Sequence, residues 1–279
     1  MRPKDTGRAE DGAADGTADG STAGLGTKAA AAGRGGAGGG AADDGTAGAV
    51  TPPPSVLADA VLERLTAAYG PAADPVRAAG AAAYMKGVAP FLGIPTPRRR
   101  ELSRAVLAGL PRPAEADCAA VALRCWALPE REYHYFAVDY LRRYVGRCSS
   151  DLLPVVRRLL VTVPWWDTVD LLAAHTVGPL VAADPALTAV MDDWSGDADL
   201  WLVRTALLHQ LRYKEATDTG RLFGYCLRQA GHPDFFVRKA IGWSLREYAK
   251  TDPDAVREFV AGARDRLAPL SVREALKNL

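Results

Sequence analysis

The residues best suited to chemistry lie in the run from Val163 to Asp170, which holds two tryptophans and two aspartates. Within it, Trp166 and Asp170 are four positions apart, so on a helix they are neighbours on one face, whereas Asp167 points elsewhere. An aromatic face attracts a desolvated cation, and a carboxylate stabilises positive charge that develops on a sugar during glycoside hydrolysis. The pair therefore indicates a site for a cationic substrate whose sugar bond is broken.

Two readings of this pair stay open from the residues alone. In the first, Trp166 and Asp170 act on a substrate that is both a cation and an N-glycoside, such as an N3- or N7-alkylated purine in DNA. Alkylation already makes that base a good leaving group, so no strong general acid is needed. In the second, the tryptophan is part of the core and Asp170 is solvated or paired with an arginine.

The elements that must position this pair are helices. From Pro54 onward apolar residues recur at helical spacing, with Pro and Gly clusters between the runs and no alternating strand pattern. Breaker clusters at 93–97, 128–130, 231–234 and 251–254 predict where helices begin and end.

The helices contain a sequence repeat whose length is about that of one helical hairpin. The tetrad Val203–Ala206 recurs as Val237–Ala240 and Val272–Ala275, with the arginines 34 and then 35 residues apart. Stepping back by 34 residues from Arg204 reaches Asp170, and a further 34 reaches Phe136. Stacked helical hairpins produce such a period. We therefore expect an all-α fold, an α-solenoid of helical hairpins, curved around a concave groove that carries arginines and one carboxylate.

The first fifty residues differ in kind, since they contain fourteen Gly and fourteen Ala. Such a segment cannot bury enough apolar surface to offset its conformational entropy. The domain boundaries predicted are a disordered tail over 1–53 and a folded domain over 54–279. The start of the chain lacks the apolar segment of a secretory signal.

Composition excludes several other classes of protein. The formal net charge of +1 permits a nucleic-acid surface without demanding one. The four cysteines form no CxxC, the four histidines form no HxxH or HxxxH pair, and the glycine run at 33–40 lacks the phosphate-loop pattern. No apolar run approaches the ~20 residues of a membrane span. We expect no metal, no cofactor, no membrane and a cytoplasmic location.

The order of motifs from about Ala83 to the C-terminus resembles the bacterial DNA alkylation repair glycosylases built from HEAT-like repeats, the AlkD-like branch. The matching segments lie at 83–86, 91–94, 128–132, 165–170, 201–204, 210–214 and 238–250. The resemblance covers nearly all of the predicted folded domain, and motifs this long and in this order are specific.

The resemblance implies excision of 3-methyladenine and 7-methylguanine from duplex DNA without base flipping. It implies aromatic contacts from Tyr84, Trp166 and Trp243, with Asp170 as the catalytic carboxylate and Arg204 as a cation that grips the DNA backbone. It also implies a right-handed solenoid of HEAT-like hairpins that is associated with the nucleoid in use. The oligomeric state stays open, and because a curved groove works in a single chain we expect a monomer.

Further cations of the last repeats could contact phosphate, although a charged solenoid face is usually only solvated. These candidates are Arg238, Lys239, Arg246, Lys250 and Arg273. The competing hypothesis for the whole chain is a non-catalytic helical-repeat scaffold that binds nucleic acid or protein along its groove, because fold does not settle function.

Overall fold

The computed structural model describes residues 51–279. Fourteen α-helices are present in this part of the chain, together with short 3₁₀ turns and no strand. The first seven helices are α1 Val56–Tyr69, α2 Pro75–Tyr84, α3 Thr96–Leu107, α4 Glu115–Trp126, α5 Arg131–Tyr144, α6 Leu153–Val161 and α7 Trp166–Leu172. The others are α8 Gly178–Ala183, α9 Thr188–Trp194, α10 Leu200–Leu208, α11 Thr219–Arg228, α12 Phe235–Tyr248, α13 Pro253–Gly262 and α14 Pro269–Ala275.

The helices form two layers of antiparallel hairpins. In one layer, which we call the site layer, α5, α7, α10, α12 and α14 pack side by side in that order. The outer layer contributes one preceding helix to each hairpin, namely α4, α6, α9, α11 and α13. The prediction of an α-solenoid of helical hairpins is confirmed. Its handedness and the concavity of its groove stay predictions, as does the tail over 1–53, most of which lies outside the described residues.

The local sequence explains where these helices begin. Asp199, Asp218, Asp234 and Asp252 are N-cap residues, and each carboxylate accepts a hydrogen bond from a backbone amide of the first turn. The N-caps of α12 and α13 therefore lie within the breaker clusters at 231–234 and 251–254, where helix starts were predicted. The caps Asp234 and Asp252 thus place the starts of α12 and α13 within one residue of the sequence signal.

The 34-residue register holds in the fold. Asp170, Arg204 and Arg273 are each the fifth residue of their helix, in α7, α10 and α14, and Arg238 is the fourth residue of α12. Helices of the site layer approach closely, because a Cβ on Gly242 would lie 2.4 Å from Cβ of Glu274. Equivalent positions in successive hairpins are thereby brought within reach of one another.

Two buried histidines make the fold sensitive to acid. Burial lowers the pKa of His134, with the Arg131 charge adding to the effect, and burial lowers that of His209; both fall to about 4. Between pH 6.5 and 4 the unfolded chain therefore binds more protons than the folded protein, and the free energy of unfolding falls as the pH falls.

We expect a loss of roughly 2–3 kcal/mol for each of these histidines between pH 7 and 4.5, measured by urea unfolding. The lowered pKa of Glu274, which is bonded to Lys239 and Arg246, acts in the same direction, whereas the raised pKa of Asp170 opposes it. Replacing His209 by glutamine should flatten part of the profile. A free energy of unfolding that stays constant from pH 7 to 4.5 would contradict this assignment.

Candidate active site

Helix α7 carries the central pair of the candidate site. Its N-cap, Trp165, has extended backbone, so the helix begins at Trp166 and places Asp170 one turn later on the same side. The helix passes directly into a π-helical turn over Ala173–Val177 and then into α8. Such π turns occur often at functional sites, because the wider turn shifts the side chains that flank it.

The carboxylate of Asp170 is bound by the guanidinium of Arg204 from the next hairpin. Nε of Arg204 donates to Oδ1 at 2.6 Å and Nη2 donates to Oδ2 at 2.8 Å, across a separation of 34 residues. The bidentate fork is the strongest geometry for a charge pair of this kind. Asp170 is thus paired with an arginine, as in the second interpretation of the sequence, in which the carboxylate has a structural role.

The environment of Asp170 still leaves it able to act on a charged substrate. Burial raises the pKa of its carboxyl, and the Arg204 charge and hydrogen bonds partly offset that rise. Its side chain is 11% exposed, so one edge can be reached from outside. Each carboxylate oxygen has a second acceptor site beyond the one that Arg204 uses.

Arg204 is placed differently from the backbone-gripping cation expected at this position. It is buried, and its third nitrogen, Nη1, donates to the carbonyl oxygen of Phe236. With Nε and Nη2 on Asp170, all three nitrogens face protein acceptors. This geometry is that of a residue that positions Asp170. Direct contact between Arg204 and a DNA phosphate stays a prediction, and it would require the Arg204 side chain to move.

An aromatic cluster backs this ion pair. The rings of Trp165, Trp201 and Phe236 lie 5.0 to 5.8 Å apart, and the guanidinium of Arg204 is 6.0 Å from the centre of the Phe236 ring. These rings join the starts of α7, α10 and α12. Water is kept from the inner side of the pair, which strengthens its electrostatic interaction.

The second carboxylate of α7 faces the preceding hairpin. Arg131 of α5 donates to Asp167 from Nε at 3.1 Å and from Nη2 at 2.6 Å, and the hydroxyl of Tyr135 donates to the same carboxylate at 2.6 Å. Asp167 and Asp170 are thus each held by an arginine, one from either neighbouring hairpin. Asp167 is more deeply enclosed, with 6% of its side chain exposed, which suits a structural role.

The other predicted aromatic contacts lie on separate elements. Trp243 lies in the third turn of α12, half-buried against the core. Tyr84 ends α2 with 60% of its surface exposed and lines a cavity of about 270 Å³ together with Phe91 and Tyr135. Tyr135 connects that cavity to α7 through its hydrogen bond to Asp167.

The cations predicted to contact the DNA backbone differ in their exposure and in the protein groups that they bind. Lys239 and Arg246 both bind Glu274 of the next hairpin, at 3.0 and 2.7 Å. Arg238 donates to the carbonyl of His232, and Lys250 pairs with Glu247 at its helix end. Arg273 is exposed. Of this group, Lys250 and Arg273 are the most accessible to a phosphate, since Lys239 and Arg246 already share a carboxylate.

Sequence reasoning missed the residues that hold α7, namely Arg131, Tyr135 and Trp201. The sequence did contain a signal for Arg131, because Arg131 and Asp167 are 36 residues apart, which is close to the repeat length. Opposite charges separated by one repeat are therefore candidates for pairing between adjacent hairpins. The aromatic cluster offered no such signal, because apolar contacts carry no complementary pattern.

Residues 51–279, which the structure describes, contain neither a cluster of metal-binding side chains nor a membrane-spanning helix. No group of three or more His, Cys, Asp or Glu side chains in that range could hold a metal ion. Within the same range, every helix is too short or too polar to cross a bilayer.

We compared the chain with curated proteins, solved structures and protein families. A search of curated proteins finds no match. Among solved structures, one described as a predicted DNA alkylation repair enzyme from Enterococcus faecalis is similar, with 33% identity and a TM-score of 0.67. The match covers 74% of this chain and 96% of that one. The model of the DNA alkylation repair enzyme family matches residues 65–279, which include α7 and its partner helices. The chain therefore belongs to the DNA alkylation repair enzyme family.

Proposed function

We propose that this protein is a monofunctional DNA glycosylase that excises positively charged N3- and N7-alkylpurines from duplex DNA by hydrolysis. The observation that carries the proposal is the Asp170 carboxylate, buried, held by Arg204 and one helical turn from Trp166. The products are the free alkylpurine, such as 3-methyladenine or 7-methylguanine, and an intact abasic site in base-excision repair.

In the proposed mechanism the carboxylate of Asp170 acts on the sugar. The bond from C1′ to the purine nitrogen breaks, its electrons pass to the cationic base, and the base leaves neutral. Positive charge then develops on the deoxyribose, where a preorganised carboxylate stabilises it. Water adds to C1′ and its proton is released through Asp170 to solvent. The base is already activated by alkylation, so this scheme needs no general acid.

Arg204 sets the orientation of this carboxylate. A bidentate arginine fixes both oxygens in one plane, so the free acceptor sites point in fixed directions before substrate arrives. Burial raises the pKa of Asp170, and the arginine favours its ionised form. We propose that Arg204 acts through Asp170 and that a phosphate contact by Arg204 is secondary.

The aromatic residues select for charge on the base. An aromatic face attracts a desolvated cation by about 2 kcal/mol or more, which an undamaged neutral purine does not gain. We propose Trp166 and Trp243 for this selection and Tyr84 for a further stacking contact, without a base-flipping pocket. Lys250 and Arg273 are the first choices for backbone phosphates, with Arg238, Lys239 and Arg246 behind them. The protein then acts as a monomer in the cytoplasm, on the nucleoid.

One feature of the site favours the scaffold hypothesis, since a bidentate ion pair such as Asp170–Arg204 is also what a purely structural carboxylate forms. An excision assay separates the two. Purified protein incubated with methylated duplex DNA should release 7-methylguanine, detected by mass spectrometry, in amounts equal to the abasic sites formed. Duplex that is bound without any release would support the scaffold and contradict the glycosylase.

A further inference from the structure

The turn that leads into α7 has a strained residue. Val163 has a φ of 48°, in the left-handed region, and Pro164 follows it. A β-branched residue disfavours this region, and a residue before proline favours extended backbone instead. Val163 is also 39% exposed, so burial of its apolar atoms does not explain the conformation. Contacts from elsewhere must hold the turn.

Two side chains of the preceding hairpin hold successive carbonyls of this turn. Nε1 of Trp126, at the end of α4, donates to the carbonyl of Thr162 at 2.8 Å. Nη1 of Arg131, at the start of α5, donates to the carbonyl of Val163 at 2.8 Å. The two donors flank the short connection from α4 to α5, so this one corner of the hairpin holds both carbonyls.

The corner itself is fixed by its own contacts. The ring of His134 stacks on Trp126, with centroids 4.5 Å apart and planes 12° from parallel. Nδ1 of His134 lies 3.2 Å from Nη1 of Arg131, and Nε2 lies 3.1 Å from the carbonyl of Leu128. A neutral imidazole with its proton on Nε2 satisfies both contacts, and the lowered pKa of His134 agrees with that state.

Arg131 uses its whole donor set in this arrangement. Besides Val163 and His134, it donates to both oxygens of Asp167 and to the hydroxyl of Thr168 at 2.9 Å. Five N–H groups therefore meet five acceptors. Four of these acceptors belong to the turn and to the first turn of α7, and the fifth is His134 of α5 itself. Arg131 thus links the strained backbone to the helix that carries Trp166 and Asp170.

We infer that Trp126 and Arg131 are positioning residues: they hold the turn over 162–165 in its strained conformation and thereby set where Trp166 and Asp170 lie. This inference rests on the proposed function for its effect on excision. Its structural part, that the two side chains hold the turn, stands on the contacts alone. Neither residue touches the reacting atoms; both act through the backbone.

The test uses Trp126→Phe, which keeps an aromatic ring against His134 and removes the donor to Thr162. The matched control is Trp194→Phe, because Trp194 is equally buried but lies in α9 of the outer layer. With the full chain and methylated duplex, Trp126→Phe should slow single-turnover excision roughly 10- to 100-fold at saturating enzyme. The half-saturating enzyme concentration should stay that of the wild type, and Trp194→Phe should match the wild type in both.

Hydrogen exchange supplies a readout that does not need activity. Amides of residues 162–170 should exchange faster in Trp126→Phe, while those of α12 should not change. Adding Val163→Gly to that variant should slow the exchange again and recover part of the excision rate, because glycine adopts positive φ without strain.

Three results would overturn the inference: Trp126→Phe behaving like Trp194→Phe, a lost rate with unchanged exchange over 162–170, or no recovery on adding Val163→Gly. If the wild type releases no alkylpurine, the proposed function fails instead. The exchange measurement then still decides whether Trp126 holds the turn.

Discussion

Replacing Asp170 by asparagine is expected to slow release of 7-methylguanine by at least about 10²-fold, the usual effect of removing one preorganised electrostatic group. Asparagine has the same shape and can still accept from Arg204, but it carries no charge to stabilise the sugar cation. The measurement is single-turnover release from methylated duplex, with binding to undamaged duplex recorded in parallel. Binding should change little, since Asp170 adds no attraction to phosphate.

A control must separate this effect from loss of the ion pair as such. Asp192 in α9 is also bound by an arginine, with Arg221 Nε at 3.1 Å and Nη2 at 3.2 Å, and by the hydroxyl of Tyr225 at 2.6 Å. Asp192→Asn therefore removes the same charge from another arginine-bound carboxylate, in the outer layer and with a more exposed side chain. It should retain wild-type release at a temperature where both variants are folded.

The opposite pattern would reject the mechanism. Full release by Asp170→Asn would show that the carboxylate is only the structural partner of Arg204. Equal losses in Asp170→Asn and Asp192→Asn would assign the effect to stability. A lowered rate in the first variant alone, with DNA binding preserved, is what a catalytic carboxylate requires.

Much of the fold could be predicted because helices and repeats leave periodic signals. Apolar spacing and breaker clusters located the helices, and the Val-Arg-x-Ala tetrads gave the hairpin length. The register even gave the position of Asp170 within its helix, since Arg204 and Arg273 occupy the same fifth position in theirs. These features depend on residues near one another in sequence or on a fixed period.

The exceptions are features with no periodic signal. The sequence Val163-Pro164 predicts extended backbone, yet Val163 has positive φ because Arg131 and Trp126 hold the turn. The π turn over Ala173–Val177 was likewise not expected, although it begins only three residues after Asp170. Both features result from tertiary contacts that override the local preference.

The site was predicted in part for the same reason. Helical spacing put Trp166 beside Asp170, but only the packing of α7 against α10 shows that Arg204 reaches Asp170. A register gives equivalent positions without telling whether neighbouring ones touch. Here Asp170 and Arg204 do touch. The sequence predicted a row of cations around one acid along the groove, and two members of that row form a buried ion pair.

Replacing Arg131 by methionine is expected to produce the largest loss of stability. Arg131 is buried with all its donors engaged, so its removal leaves Asp167 with a buried, largely uncompensated charge. Breaking a buried pair in this way costs about 3–5 kcal/mol, a large share of the stability of a typical domain. Urea unfolding of the variant measures the loss, and Arg221→Met, which removes a more exposed arginine, should lose only about 1 kcal/mol or less.

The double variant Arg131→Met with Asp167→Asn tests the cause. If the cost arises from the uncompensated carboxylate, neutralising Asp167 removes it, and the double variant should be more stable than Arg131→Met alone. The coupling between the two sites should then be about 1–3 kcal/mol. Purely additive losses would place the cost in lost packing and in the freed carbonyl of Val163. The first outcome would show that the charge of Arg131 fixes α7 through Asp167. Of the two buried ion pairs that hold this helix, Arg131–Asp167 is then the more enclosed and Arg204–Asp170 the less enclosed.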